Sequence, residues 1–179
     1  GKSLLDIIDK TSTPMGGRLL RRRLILPLKS VDEINRRLNL IEFFNKEDHL
    51  KYEIQQLLKS ISDLDRLMGK LASEKISPKE LGYLRHSLMN IHQIKALLHP
   101  FDEVLAWLQP LNNLEEIISY LVNYLNEELP VNIAKGNVIK SGISEELDHL
   151  RGLQSKGKNF LDEMCEREIE RTGISSLKI

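Results

Sequence analysis

Ser77-Pro78-Lys79-Glu80-Leu81-Gly82-Tyr83-Leu84-Arg85-His86-Ser87-Leu88-Met89-Asn90-Ile91, running on to Leu98 and Pro100, decides how the chain is read. Ser77 ahead of Pro78, with Glu80 three residues on, marks a helix start. The hydroxyl and the carboxylate each satisfy a backbone N–H, and proline has no N–H to lose. Leu81, Leu84, Leu88, Ile91 and Leu98 then recur at helical spacing and share a face. Pro100 stops the run. About 20 residues at ~1.5 Å each make a rod of roughly 30 Å.

The same grammar repeats upstream. Residues 3–10 read as a short helix. Thr13 caps a helix that opens on Pro14 and ends near Leu26, ahead of Pro27. Ser30 caps the next, in which Val31, Ile34, Leu38, Ile41 and Phe44 fall on one face. Leu50, Ile54, Leu57, Leu58 and Ile61 mark another stripe. Leu64, Leu67, Met68 and Leu71 mark a further one before a turn at 73–76.

Downstream, Trp107 falls in what reads as a short connector between Pro100 and Pro110. Leu114, Ile117, Ile118, Leu121, Val122 and Leu125 then define a helix stopped near Pro130. Residues 131–142 place Gly136-Asn137 between β-prone runs, which predicts a small hairpin. Ser144 caps a last helix to about Thr172, with Gly173 at its C′ position, roughly 42 Å long. Its apolar residues gather at two ends, Leu147, Leu150 and Leu153, then Phe160, Leu161, Met164 and Ile169. The polar centre, with Gly152 and Gly157, suggests a helix docked at its ends and wet between them. A long surface helix is the plainer alternative. The expected fold is all-α: a multi-helix bundle with one long terminal helix and a small β-hairpin near 131–142.

Composition agrees. The 179 residues are 41% hydrophobic and 29% charged, enough for a real core and too apolar for a disordered chain. Aromatics at 5% favour packed helices over a β-sandwich. The 26 Lys plus Arg balance 26 Asp plus Glu, so any nucleic-acid contact has to be local. A single cysteine, Cys165, makes no intrachain disulfide. The uncharged stretch 104–114 is too short to cross a bilayer, and no signal peptide is legible at the start. A cytoplasmic protein without membrane contact is expected.

No constellation of catalytic residues emerges. Gly1-Lys2-Ser3 imitates the tail of a phosphate-binding loop but lacks the loop, and Gly16-Gly17 inside a helix suggests close helix packing. His49, His86, His92, His99 and His149 are scattered, and no second cysteine joins Cys165, so no metal or cofactor site is expected. Negative Glu163 and Glu166 beside Cys165 disfavour a nucleophilic thiolate. Arg18, Arg21, Arg22 and Arg23, with Lys29, form the best local candidate for a weak phosphate contact. They spread around the helix without interleaved aromatics, so solvation and pairing with acids is the simpler reading. Glu163/Arg167 and Glu168/Arg171 have the spacing of pairs that stabilise an exposed helix.

The order of segments carries more than any one of them. Ser3-Leu-Leu-Asp-Ile-Ile-Asp-Lys-Thr-Ser-Thr-Pro-Met-Gly-Gly-Arg-Leu-Leu-Arg-Arg22 resembles the start of the core, or lever, region of MutS-type mismatch-repair proteins. Pro27-Leu28, Ile34-Asn-Arg-Arg-Leu38, Asp63-Leu-Asp-Arg-Leu67, Ser77-Pro-Lys-Glu-Leu81 with Leu84-Arg85, and Glu145-Glu-Leu-Asp148 continue the match. Glu166-Arg-Glu-Ile-Glu-Arg-Thr-Gly-Ile-Ser-Ser-Leu-Lys178 resembles the stretch just before the family's clamp. The likeness runs through the chain in order.

The resemblance implies a helical core at 1–130, a hairpin connector at 131–142, a long lever helix at 143–173 and the start of an extended lead-in to the clamp at 174–179. It further implies a parent that binds mismatched double-stranded DNA, binds and hydrolyses ATP with Mg, forms a homodimer and meets a MutL-like partner. The family's mismatch-reading and ATPase motifs are not in these residues. None of its catalytic residues can therefore be carried over, and exposed apolar surface is expected where neighbouring helices are missing. The alternative is an independent helical scaffold for protein interaction.

Overall fold

The computed structural model describes residues 3–111 and 113–173. They form α1 (Leu4–Ile8), α2 (Pro14–Ile25), α3 (Val31–Lys46), α4 (Asp48–Lys59), α5 (Leu64–Ala72), α6 (Pro78–Leu98), α7 (Asp102–Leu108), a 3₁₀ turn at Gln109–Leu111, α8 (Leu114–Tyr124), a second 3₁₀ turn at Ile133–Lys135, and α9 (Glu145–Thr172). The all-α expectation stands. The chain separates into two compact units, 1–138 and 139–179.

The caps read from sequence are made. Thr13 accepts from the Gly16 amide, Ser30 from Glu33, Ser77 from Glu80 and Ser144 from Leu147. At Ser77 the Glu80 carboxylate returns the contact, accepting from the Ser77 N–H at 2.9 Å.

In the first unit α6 is the central rod, packed by α4 and α5 and, at other points along its length, by α7 and α8. Phe43, Leu50, Ile54, Ile61, Ile94, Leu98, Val104 and Leu108 make one buried cluster drawn from α3, α4, the turn after α4, α6 and α7. Phe43 meets Phe44 and Phe101 edge-on, each with ring centroids 5.1 Å apart. Leu84, Leu121 and Leu125 are buried as well. Arg85 reaches from α6 to the end of α8 and donates to the carbonyls of Leu125, Asn126 and Glu127 at 3.3, 2.9 and 2.8 Å. Those carbonyls would otherwise lack helical partners.

Several expectations are corrected. First, residues 131–142 form no hairpin, and no strand occurs among the described residues. Asn132 Oδ1 accepts from the Ala134 amide and curls 133–135 into a 3₁₀ turn, while the Val138 carbonyl accepts from Asn126 N. Gly136 and Asn137 do take positive φ (69° and 56°), but Val131 and Ile133 are exposed and have no facing strand to cover them. Local turn chemistry alone does not make a ladder.

Second, the supposed connector around Trp107 is helical. Asp102 and Glu103 favour its N-terminus, and Val104 and Leu108, four residues apart, are both buried. The α3 stripe lies largely open: Val31, Ile34, Leu38 and Ile41 are exposed, while Phe44, half-buried, packs on the core beside Phe43 and Leu40.

Third, Gly16 and Gly17 do not admit a neighbouring helix. A Cβ at Gly16 would lie 3.1 Å from Thr13 Oγ1 and 3.3 Å from Thr11 Cβ, and one at Gly17 would lie 3.2 Å from Asp9 Oδ2. The pair makes room for the loop that folds back on the start of α2.

In the second unit α9 is continuous over 28 residues, about 42 Å. Asp148 accepts from the Gly142 N–H (2.6 Å) and from Arg151 (3.0 Å), and Arg151 donates to the Ile139 carbonyl at 2.7 Å. These bonds tie the first turns of α9 to 139–142. Gly173, at φ 71°, ends it in the left-handed region open to glycine, and its N–H donates to Ile169. Of its apolar residues Leu150, Leu153, Phe160, Leu161 and Met164 are exposed and Leu147 and Ile169 half-buried, the pattern of the long surface helix rather than of one docked at both ends. Residues 174–179, expected to be extended, lie outside the described residues.

Candidate functional site

Arg18 projects from the middle of α2 onto Asp63, the residue that caps α5. Its Nη1 donates to Asp63 Oδ2 at 2.8 Å and its Nη2 to Asp63 Oδ1 at 2.7 Å. A further Nη2 bond reaches Asp65 Oδ2 at 2.6 Å. Asp63 also accepts from the Arg66 amide, completing the cap. The Arg18 guanidinium holds the Asp63 carboxyl down at about 2, and the two aspartates push the Arg18 pKa up. Thus the Gly-Gly-Arg18 and Asp63-Leu-Asp65 segments, far apart in the chain, are bonded to each other.

Arg21, Arg22 and Arg23 are exposed along the rest of α2. Among the described residues they have no carboxylate partner, so pairing with acids holds for Arg18 and not for them. Partial desolvation, then the like charge of Arg37, lowers the Arg23 pKa. Arg18, Arg21 and Arg22 share a shallow groove with Ile25 and Leu26. Cations over an apolar floor suit a loose anionic contact.

Two open clefts lie elsewhere in the first unit. One of about 440 Å³ is lined by Lys79, Tyr83, Arg85, His86, Glu127 and Glu128, among others. Arg85 there is already committed to the backbone after α8. The other, of about 490 Å³, lies between α3 and α7, where the Arg36 guanidinium sits 4.3 Å from the Trp107 ring centroid. Neither brings a nucleophile to a base. Among the described residues no group of three or more His, Cys, Asp or Glu is placed to hold a metal. His92 Nδ1 lies 3.3 Å from Glu115 Oε1, a contact between α6 and α8.

A nucleotide phosphate needs backbone N–H groups gathered around an anion. Here the Gly16 N–H donates to Thr13 Oγ1 and the Gly17 N–H to the Thr13 carbonyl, both inside a helix start. These residues do not fit that ligand. On α9 the Glu168/Arg171 pair forms at 2.8 Å, whereas Arg167 reaches the Glu163 backbone carbonyl rather than its carboxylate. No helix among the described residues is long and apolar enough to cross a membrane.

Sequence reasoning missed Asp63 and Asp65 as partners of Arg18, and Ser87 and Asn90 as buried polar residues. Only the segment order, which held both partners of the first contact, pointed that way.

The family model described as MutS domain III matches residues 1–176. The DNA mismatch repair protein MutS of Christiangramia forsetii is 46% identical over 179 residues, which are 99% of this chain and 21% of that protein. MutS of Flavobacterium johnsoniae is 45% identical over the same span. MutS of Cytophaga hutchinsonii is 40% identical over 181 residues, again 21% of its length. The chain therefore spans about a fifth of the curated relatives it matches, and over that span it belongs to the MutS domain III family.

Proposed function

We propose that this chain is the lever segment of a MutS-like mismatch-recognition ATPase, linking its ATPase region to its DNA-clamp region. The observation that carries this reading is α9: 28 residues without a break, about 42 Å of continuous hydrogen-bonded rod in a chain of this family. A rod of that length transmits a displacement with little loss, which a chain of short helices and loops does not.

In this reading 1–130 is the helical core, 143–173 the lever helix and 174–179 the lead-in to the clamp. The parent binds mismatched double-stranded DNA, binds ATP and Mg outside this segment, works as a homodimer in the cytoplasm and meets a MutL-like partner. The segment itself performs no catalysis. Two regions need a shared two-state element to be coupled, and the lever helix is assigned that role.

Lys156→Pro in the full-length protein tests it. Lys156 is exposed at the centre of α9, so proline there breaks the rod without opening a core. ATP binding is expected to persist while ATP-dependent conversion to a sliding clamp is lost. Normal clamp release and repair in that variant would overturn the proposal.

Arg21, Arg22 and Arg23 enter the same proposal as a weak phosphate contact. A fluorescence-anisotropy titration of the chain with duplex DNA should give weak, salt-sensitive binding that the triple glutamine variant loses. Unchanged binding in that variant would remove these residues from the account. An independent interaction scaffold is the second reading, favoured by the exposed apolar row Val31, Ile34, Leu38 and Ile41. Flanking sequence separates the two: ATPase and clamp motifs in the same reading frame support the lever, their absence the scaffold.

A further inference from the structure

α2 differs from the helices around it in how it is held. None of its residues is buried, and from Arg21 onward every one is exposed. Met15, in its first turn, is its contribution to the packing around the core. It is absent from the helix pairs that pack most closely in this unit. Both ends are jointed: Asp9 folds Thr11 into a tight turn before it (2.7 and 3.0 Å), and after the Leu26 N–H closes the last turn onto the Arg22 carbonyl (2.9 Å), Pro27-Leu28-Lys29 follows outside any helix. Against this sparse apolar anchorage stand three short charge-assisted bonds from Arg18 to Asp63 and Asp65.

We propose that Arg18, Asp63 and Asp65 form a releasable ionic latch, the principal tether of α2, which lets α2 undock as a rigid rod while the α3–α8 core stays folded. The geometry suits a latch rather than a permanent weld. The Asp63 side chain is 15% exposed and Arg18 45%, so the bidentate pair is shielded enough to hold, yet open enough for ions or a competing anion to reach. Partial desolvation first, and the like charge of Arg37 next, disfavour the charged form of Arg23 on the other half of α2. Asp63 also accepts from the Arg66 amide and lies 3.3 Å from the Arg66 Nε, so the N-terminus of α5 has a cap and a local cation that do not run through Arg18. Arg21 and Arg22 line the same groove as Arg18, which places the latch beside the surface an anion would approach.

Hydrogen exchange read by mass spectrometry in the full-length protein tests the latch. In Arg18→Gln, amides of α2 should exchange at least about fivefold faster, while those of α6 keep their wild-type rates. Asp63→Asn, which retains the cap acceptor, should behave in the same way. Arg18→Lys, with one point charge in place of the fork, should fall between. Raising the salt concentration should accelerate α2 exchange in the wild type and leave Arg18→Gln unchanged. Exchange of α2 in Arg18→Gln within about twofold of wild type, or acceleration of α6 by the same factor, would overturn the latch. The first outcome would mean that packing holds α2, and the second that the contact contributes only to global stability. Neither depends on the lever reading, because exchange is read without ATP or DNA.

Discussion

Asn90 Nδ2 donates to Ser60 Oγ across 2.7 Å, joining the middle of α6 to the turn that closes α4. One helical turn earlier on α6, Ser87 Oγ accepts from the Ser62 N–H at 3.0 Å and donates its own hydrogen bond to the Tyr83 carbonyl at 2.8 Å. Ser87 is fully buried and Asn90 is 8% exposed. Two polar side chains thus sit where the leucine pattern of α6 predicts apolar packing. They fix how the α4–α5 turn lies along the rod.

Removing that register pin should be expensive for so small a change. Ser87→Ala leaves the Ser62 N–H without its partner in a part-buried setting. It should lower unfolding stability by about 1–3 kcal/mol, measured as a shift in urea midpoint. An unshifted midpoint would show that water takes over the bond.

Burial, and not hydrophobicity, should decide the outcome of leucine truncations. Leu108 is 7% exposed within the α3–α4–α6–α7 cluster, whereas Leu38 is 54% exposed on α3. Leu108→Ala should cost about 2–5 kcal/mol and Leu38→Ala within about 0.5. Equal losses in thermal or urea unfolding would contradict the orientation of α3.

Acid should weaken the α5–α6 junction in a predictable window. Glu80 is held at about 2 by its bond to Lys70 first and by the Ser77 backbone and hydroxyl next. A carboxylate whose folded value lies below its ordinary 4.5 contributes stability above that value and loses it as pH falls toward 2. Glu80→Gln keeps an acceptor for the cap but has no charge to titrate. Its melting temperature should therefore fall less steeply than wild type between pH 4.5 and about 2. Parallel curves would mean that the group is already ordinary in the folded state.

Glycines within α9 should be dispensable for its fold. A Cβ at Gly152 or Gly157 meets nothing within 4 Å, and neither has a positive φ. Alanine at either position should stabilise the helix by up to ~1 kcal/mol, seen as higher helicity on thermal melting by circular dichroism. Lower helicity in either variant would show that the glycine answers a contact the helix needs.

The sequence on its own determined where most helices begin and end, because a cap, a proline or a terminal glycine acts through bonds within four residues of itself. Thr13, Ser30, Ser77, Ser144 and Gly173 all act locally, and all sit where they were read. The ordered series of motifs likewise carried the family. Which faces are covered is another matter, since a helical stripe states only that apolar residues share a side. The tertiary structure decided that Phe43 turns inward while Leu38 turns out, that α7 earns its helix through Val104 and Leu108, and that 131–142 finds no strand to pair with. It also joined Arg18 to Asp63. A guanidinium commits to whichever carboxylate the fold brings within about 3 Å, and no local pattern encodes a partner 45 residues away.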